Sequence, residues 1–298
     1  MKGMKGMKIM KGIKVKGTLI GEGMPKICVP VVGRSKNEVL AAARYIAGMH
    51  TADIVEWRID MFKDAFATDL QDPACPGPTR LDWACLRETS AELRNILGEI
   101  PLLMTLRSKR EGGEADIDAD AYADICMRIA SDGLADLLDV ELFTGCGTGF
   151  SSDCMEAAGD VSCSFKATVE IISAAHEAGI RVIASSHDFK STPDKDEIIR
   201  RLRIMQDTGA DITKIAVMPQ SARDVLTLLI ASLEMKDKYA DRPFVAISMG
   251  SLGAVSRISG EIFGSAITFG TAGAASQASA PGQISTAELK NILELLHQ

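Results

Sequence analysis

The sequence predicts an α/β fold, a (β/α)8 barrel of the TIM type, from three observations. Eight short β-rich apolar runs alternate with longer stretches of helical period, the pattern that builds a parallel sheet with crossover helices. Several of these runs are apolar almost throughout, as strands covered on both faces are. The chain has 298 residues, enough for a barrel, which typically needs ~250. Periodicity alone does not show closure, so a doubly wound open sheet remains the alternative.

Taken in order, 14–23 is expected to form a hairpin that plugs the lower end of the barrel. Strands are expected at 26–33, 54–60, 101–107, 137–143, 181–187, 212–219, 244–249 and 266–270. Helices are expected at 35–49, 82–97, 119–131, 165–178, 195–208, 221–234, 253–261 and 285–296, with Gly179 and Gly209 standing where C-terminal caps belong. The stretch 144–164 is rich in Gly, Ser, Asp and Cys, lacks period and reads as a surface insertion. The whole of 1–298 reads as a single catalytic domain, with 1–12 set aside as a leader.

Composition narrows the function. Forty acidic against 33 basic residues give a net charge of -7 with no long basic stripe, which speaks against a nucleic-acid partner and for a small-molecule substrate. The seven cysteines are scattered, with no C-x2-C pair, and read as reduced thiols of a cytoplasmic protein with no metal site. The opening MKGMKGMKIMKGIKVKG spreads its lysines evenly and leaves no apolar core for a secretion signal. No run approaches the ~20 apolar residues of a membrane span.

Barrels place their sites at the C-terminal ends of the strands, so polar residues that close apolar runs are the candidates. Glu56, Arg58 and Asp60 alternate along the second strand, and the two-residue period puts them on one face. Either an interior ion-pair network or a substrate site accounts for them, and the cost of interior charge favours the site. The third strand closes on Thr105-Leu-Arg107 and runs into Ser-Lys-Arg-Glu111-Gly-Gly. Arg107 points to an anionic or hydroxylated ligand, while Glu111 alone could equally be an ordinary loop carboxylate. Asp139 and Glu141 share a face of the fourth strand.

Of four histidines only His187 ends a strand; it is either a structural imidazole or a general acid/base, a role its ordinary pKa near neutrality suits. Lys214 lies inside Ala-Asp-Ile-Thr-Lys-Ile-Ala-Val-Met-Pro, where a lysine is out of place unless it works or is paired. Burial beside Arg58, Arg107 and Arg257 would favour the neutral, nucleophilic amine; pairing with a carboxylate such as Glu141 is the alternative. Small residues around Met249–Arg257 suggest close backbone packing. Ser279, Pro281 and Gln283 fit either a mobile lid or a plain linker. A Gly-x-Gly-x-Gly run at 145–149 suggests a dinucleotide loop, but Phe150 replaces the third glycine of that motif.

The strings EWRID, TLRSKREGG, SSHDF, ADITKIAVMP, MGSLGAVSR and SAPGQI, in this order across most of 26–285, resemble the type I 3-dehydroquinate dehydratases. The resemblance implies that Lys214 forms an imine with the substrate ketone, that His187 shuttles protons and that Glu111 orients it. It further implies that Glu56, Arg58 and Arg107 contact the hydroxylated ring of the substrate, that Arg257 contacts its carboxylate, and that Ser279 and Gln283 contact it from the closing loop. A homodimer with 3-dehydroquinate as substrate and no cofactor is expected. The chain departs from the family pattern in its MKG repeats, in 144–164 and in a longer 271–277. Two competing readings remain, a class I aldolase using the same lysine and a barrel that merely binds an anionic metabolite.

Overall fold

Eight parallel strands run in space in the order in which they occur along the chain, in a computed structural model that describes residues 10–66, 81–142, 165–273 and 282–297. They are β3 (Lys26–Val31), β4 (Ile54–Arg58), β5 (Leu102–Thr105), β6 (Leu137–Glu141), β7 (Arg181–Asp188), β8 (Ile212–Val217), β9 (Phe244–Ser248) and β10 (Ile267–Thr271). The two ends of this sheet meet. The Ala266 amide donates to the Phe244 carbonyl at 2.7 Å, and the Lys26 amide donates to the Ala266 carbonyl at 2.9 Å. A parallel bridge joins Phe244 to Ser265. The sheet therefore closes into a barrel, and the open-sheet alternative falls away.

Before the barrel, β1 (Ile13–Val15) pairs antiparallel with β2 (Thr18–Ile20), the expected hairpin. After it, β11 (Ile284–Ser285) adds two parallel residues beside Gly270 and Thr271, a strand the sequence does not announce. Helices begin where side chains can satisfy the first free amides: Ser35, Asp82, Asp118, Asp194 and Ser285 each accept from the amide three residues on. Gly179 and Gly209 follow their helices with φ of 77° and 90°, the left-handed conformation that glycine adopts without strain. No helix among the described residues is long and apolar enough to cross a membrane.

Two expectations need correction. The second strand stops at Arg58, and Ile59–Met61 turns into a 3-10 helix, so Asp60 leaves the strand alternation. Its carboxylate instead takes both Arg58 Nε and Nη2, at 2.8 and 2.7 Å, a planar pairing that the turn makes possible. The single helix expected at 253–261 is two, Ala254–Ile258 and Gly260–Phe263. At the break, a side chain on Gly260 would come within 2.7 Å of the Ser265 carbonyl, so the chain there lies too close to its neighbour for anything but glycine. The insertion at 144–164 lies outside the described residues.

Strand alternation sorts the barrel into layers. Val55, Trp57, Met104, Leu138, Val140, Ala184, Ile215 and Val217 face outward into the core shared with the helices. Cys28, Ile54, Leu103, Leu137, Ile183, Ile212, Val245 and Ile267 form a second, inner core with Val15 and Ile20 of the hairpin. Further along the inner faces of β4, β6 and β8 the residues become ionic.

Candidate active site

On β4 the inward positions run Ile54, Glu56, Arg58; on β6, Leu137, Asp139, Glu141; on β8, Ile212, Lys214, Ala216. On β4 and β6 the run enters the barrel apolar and ends polar, while on β8 the charged Lys214 stands between Ile212 and Ala216. The polar groups surround an open cleft whose lining includes Glu56, Arg58, Arg107, Glu111, His187, Lys214, Arg257 and Gln283. Eight of the nine residues predicted from sequence therefore meet in one place. Ser279, the ninth, lies outside the described residues, as does Pro281. Ala216, Ile247, Met249 and Phe269 supply the apolar walls.

Lys214 is 4% exposed. Its Nζ donates to Asp139 Oδ2 at 3.1 Å and stands 4.6 Å from the centre of the Phe269 ring. The cations expected to surround it are present, but so is this carboxylate. Glu141, the partner weighed for it from sequence, instead accepts from Arg107 Nη1 at 3.2 Å, the Ser108 amide at 2.8 Å and Ser108 Oγ at 2.7 Å. Asp139, which the strand pattern marked only as sharing a face, also accepts from Ser185 Oγ at 2.6 Å and Arg107 Nη2 at 2.8 Å. Burial opposes its charge, but Arg107 and Lys214 outweigh that and pull its pKa down to about 2.

Glu111 and His187 are brought together by the two glycines that follow Glu111. Gly112 has φ 83° and packs under the Phe189 ring, and Gly113 lies against the Arg107 carbonyl, where a side chain would collide. This fold-back sets Glu111 Oε2 2.8 Å from His187 Nδ1 and 3.1 Å from the His187 amide. With the hydrogen on Nδ1, the ring donates to the carboxylate and leaves Nε2 as its acceptor. Burial, together with Arg107, Lys214 and Arg58, holds the His187 pKa well below its ordinary value, so the imidazole is neutral at neutral pH. Burial and the Glu141 carboxylate push Glu111 well up.

Arg107 is more committed than a rim guanidinium would be. Besides Asp139 and Glu141 it reaches Glu111 Oε2 at 3.4 Å and Ser185 Oγ at 3.0 Å. Burial works against its charge, yet Asp139, Glu141 and Glu111 hold its pKa well above the usual range. It therefore borders the cavity and also ties three carboxylates into one network. Glu56 accepts from Thr105 Oγ1 at 2.9 Å. Arg257 is 1% exposed and donates to the Phe269 carbonyl at 3.3 Å. Burial lowers its pKa to about 10, which leaves it cationic at neutral pH. The glycines around Arg257 pack as expected: Gly253 lies against the Ser248 carbonyl, with no room for a side chain.

The site residues that sequence reasoning did not single out are Ser185, Ser108, Phe189 and Phe269, and Asp139 was marked by its face without a role. The two-residue period could have found Ser185, two before His187, as it placed Asp139 two before Glu141. Nothing local marks Phe269, whose role depends on β10 standing close enough to β8 for its ring to meet Lys214.

Comparison with known proteins gives a consistent result. The family model of the type I 3-dehydroquinases matches residues 27–298. A 3-dehydroquinate dehydratase of Syntrophotalea carbinolica is 42% identical over 288 residues, 97% of this chain and 99% of the relative. A crystal structure of the type I 3-dehydroquinate dehydratase from Clostridium difficile with covalently modified comenic acid superposes with a TM-score of 0.81 at 42% identity, over 97% of this chain and 99% of that one. The 3-dehydroquinate dehydratase of Geobacillus kaustophilus follows with a TM-score of 0.79 at 33% identity, over 96% of each chain. With the motifs in order, the barrel closed and the matched residues gathered at its C-terminal mouth, the chain belongs to the type I 3-dehydroquinase family.

Proposed function

We propose that this chain dehydrates 3-dehydroquinate to 3-dehydroshikimate through a Schiff base on Lys214, as a step of the shikimate pathway. Hydro-lyase activity follows from the family and from relatives matched over nearly their whole length. The covalent route is carried by one observation, a buried lysine at a cavity that also presents a neutral imidazole. The covalently modified comenic acid in the Clostridium difficile relative supports it.

In this reading Lys214 attacks the ketone, and loss of water from the carbinolamine leaves an iminium. The iminium draws electron density from the neighbouring C–H, whose proton passes to Nε2 of His187. The enamine so formed expels the β-hydroxyl, which leaves as water with the proton that His187 returns. Hydrolysis then frees Lys214. Glu111 orients the imidazole, Arg257 offers its charge to the substrate carboxylate, and Glu56, Arg58 and Arg107 bind the hydroxylated ring. Gln283 and Ser279 act from the closing loop. The iminium is itself the electron sink, so the reaction as written calls for no metal or cofactor. The working form is taken to be a cytoplasmic homodimer.

The test is borohydride reduction in the presence of 3-dehydroquinate, followed by peptide mass spectrometry. The expected result is a reduced adduct on Lys214 alone; labelling at another lysine, or at none, removes the Schiff-base assignment. A class I aldolase with the same lysine would cleave a carbon–carbon bond, and product analysis separates the two.

A further inference from the structure

The reaction as written leaves the most deeply buried carboxylate of the site unused. Asp139 has no exposed surface, and it meets the Lys214 Nζ at 3.1 Å while Ser185 and Arg107 hold its other oxygen. Arg107 does not depend on it alone, since Glu111 and Glu141 also accept from that guanidinium. We propose that Asp139 is the counter-ion of the covalent intermediate, accepting the single N–H of the Lys214 iminium and keeping it protonated. The proposal rests on Lys214 being the nucleophile.

Charge balance carries it. When a lysine ammonium and a ketone condense, two hydrogens on nitrogen leave with the carbonyl oxygen as water. A C=N bond replaces the C=O bond, and nitrogen keeps one hydrogen and its positive charge. The Asp139 pair is thus neutral before and after condensation. Loss of the remaining proton would leave the fully buried Asp139 carboxylate facing a neutral imine, which its lack of solvent disfavours. The Phe269 ring, 4.6 Å from Nζ, also favours a cation, through the negative face of its π system. Only the protonated form is an effective electron sink, so the carboxylate acts on the step that matters.

Other titratable groups face the pair. Cys28 of β3 and Glu56 and Arg58 of β4 stand on one side. Arg107, Glu111, Glu141, His187 and Arg257 border the same network, with Tyr122 and Cys126 of the third helix behind it. All of them are retained in Asp139→Asn, so a change of pH profile in that variant reports on Asp139.

Cyanoborohydride reduces an iminium and spares a neutral imine, whereas borohydride reduces both. In the wild type with 3-dehydroquinate, cyanoborohydride trapping on Lys214 should persist well into the alkaline range. In Asp139→Asn it should fade at lower pH and return on acidification, with borohydride still labelling Lys214. Turnover should drop about 10²-fold or more, the order seen when a preorganised charge-stabilising group is removed. A folded Asp139→Asn enzyme with the wild-type trapping profile would overturn the proposal. If the variant does not fold, the wild type decides: cyanoborohydride trapping lost near neutrality, while borohydride still labels Lys214, also overturns it. Absence of any borohydride label on wild-type Lys214 instead defeats the underlying Schiff-base reading, so the two failures are distinguishable.

Discussion

On β4, β5 and β6 the inward side chains begin as Ile54, Leu103 and Leu137; on β4 and β6 they end as Arg58 and Glu141, with Arg107 just beyond β5. The lower half packs against the hairpin residues Val15 and Ile20 as an apolar plug. The upper half is a network in which Asp139 meets Lys214 and Arg107, Glu111 meets His187, and Asp60 meets Arg58. Burying ion pairs costs desolvation energy that their attraction barely offsets, whereas apolar burial stabilises outright. The same strands therefore hold a stabilising floor and a charged mouth that the floor keeps in place. Changes in the two halves should fail differently, and that difference can be measured.

The largest effect belongs to the mouth. Lys214→Met should abolish turnover and all borohydride trapping, with the circular dichroism of a folded barrel retained; residual trapping would point to a second nucleophile. His187→Ala comes next. It should lower kcat by ~10²–10⁴-fold, the usual contribution of an acid/base group, yet still permit some adduct on Lys214. Near-normal turnover across a range of pH, in a folded variant, would move the proton transfers elsewhere.

The floor should respond in stability. Leu103→Ala, at a fully buried position of the inner core, should cost about 2–5 kcal/mol in denaturant unfolding while the folded fraction keeps its kcat. A comparable loss of kcat per folded molecule would mean that floor and mouth are not separable. The mouth also contributes to stability through pH. Asp139 falls from an ordinary 3.8 to about 2 in the folded protein, with Arg107 and Lys214 overcoming the effect of burial. Because its folded pKa is depressed, its contribution is complete above the ordinary value and is lost as pH falls from there towards about 2. The amount is roughly 2 kcal/mol, visible as a steeper acid loss of urea stability in the wild type than in Asp139→Asn. The smallest effect expected is in Glu111→Gln, which keeps an oxygen facing His187 but removes the charge. Its kcat should drop about tenfold, below the range for deleting the acid/base group itself, and its pH optimum should move.

Much of this was legible in the chain. The eight apolar runs became β3 to β10 because strand burial on both faces leaves a near-continuous apolar signature. His187 and Lys214 stood out because a strand end and an apolar strand interior are places where such side chains need a reason. The end of β4 was not legible: Asp60 keeps the two-residue alternation in sequence, and only the 3-10 turn at Ile59–Met61 takes it off the strand to clasp Arg58.

By itself, the sequence determined the order of strands and helices, the inner and outer faces and the kinds of group at each strand end, since these depend on residue type and local period. Tertiary structure alone decided closure, through the Phe244–Ser265 bridge, and decided partners. Glu141 and Asp139 are both two-residue neighbours on β6, yet Lys214 meets Asp139. That choice depends on how far β6 and β8 are staggered across a closed barrel, where Asp139 pairs with Ile183 of β7 and Lys214 with Ser185. Stagger arises from closing the whole sheet, and no single strand encodes it.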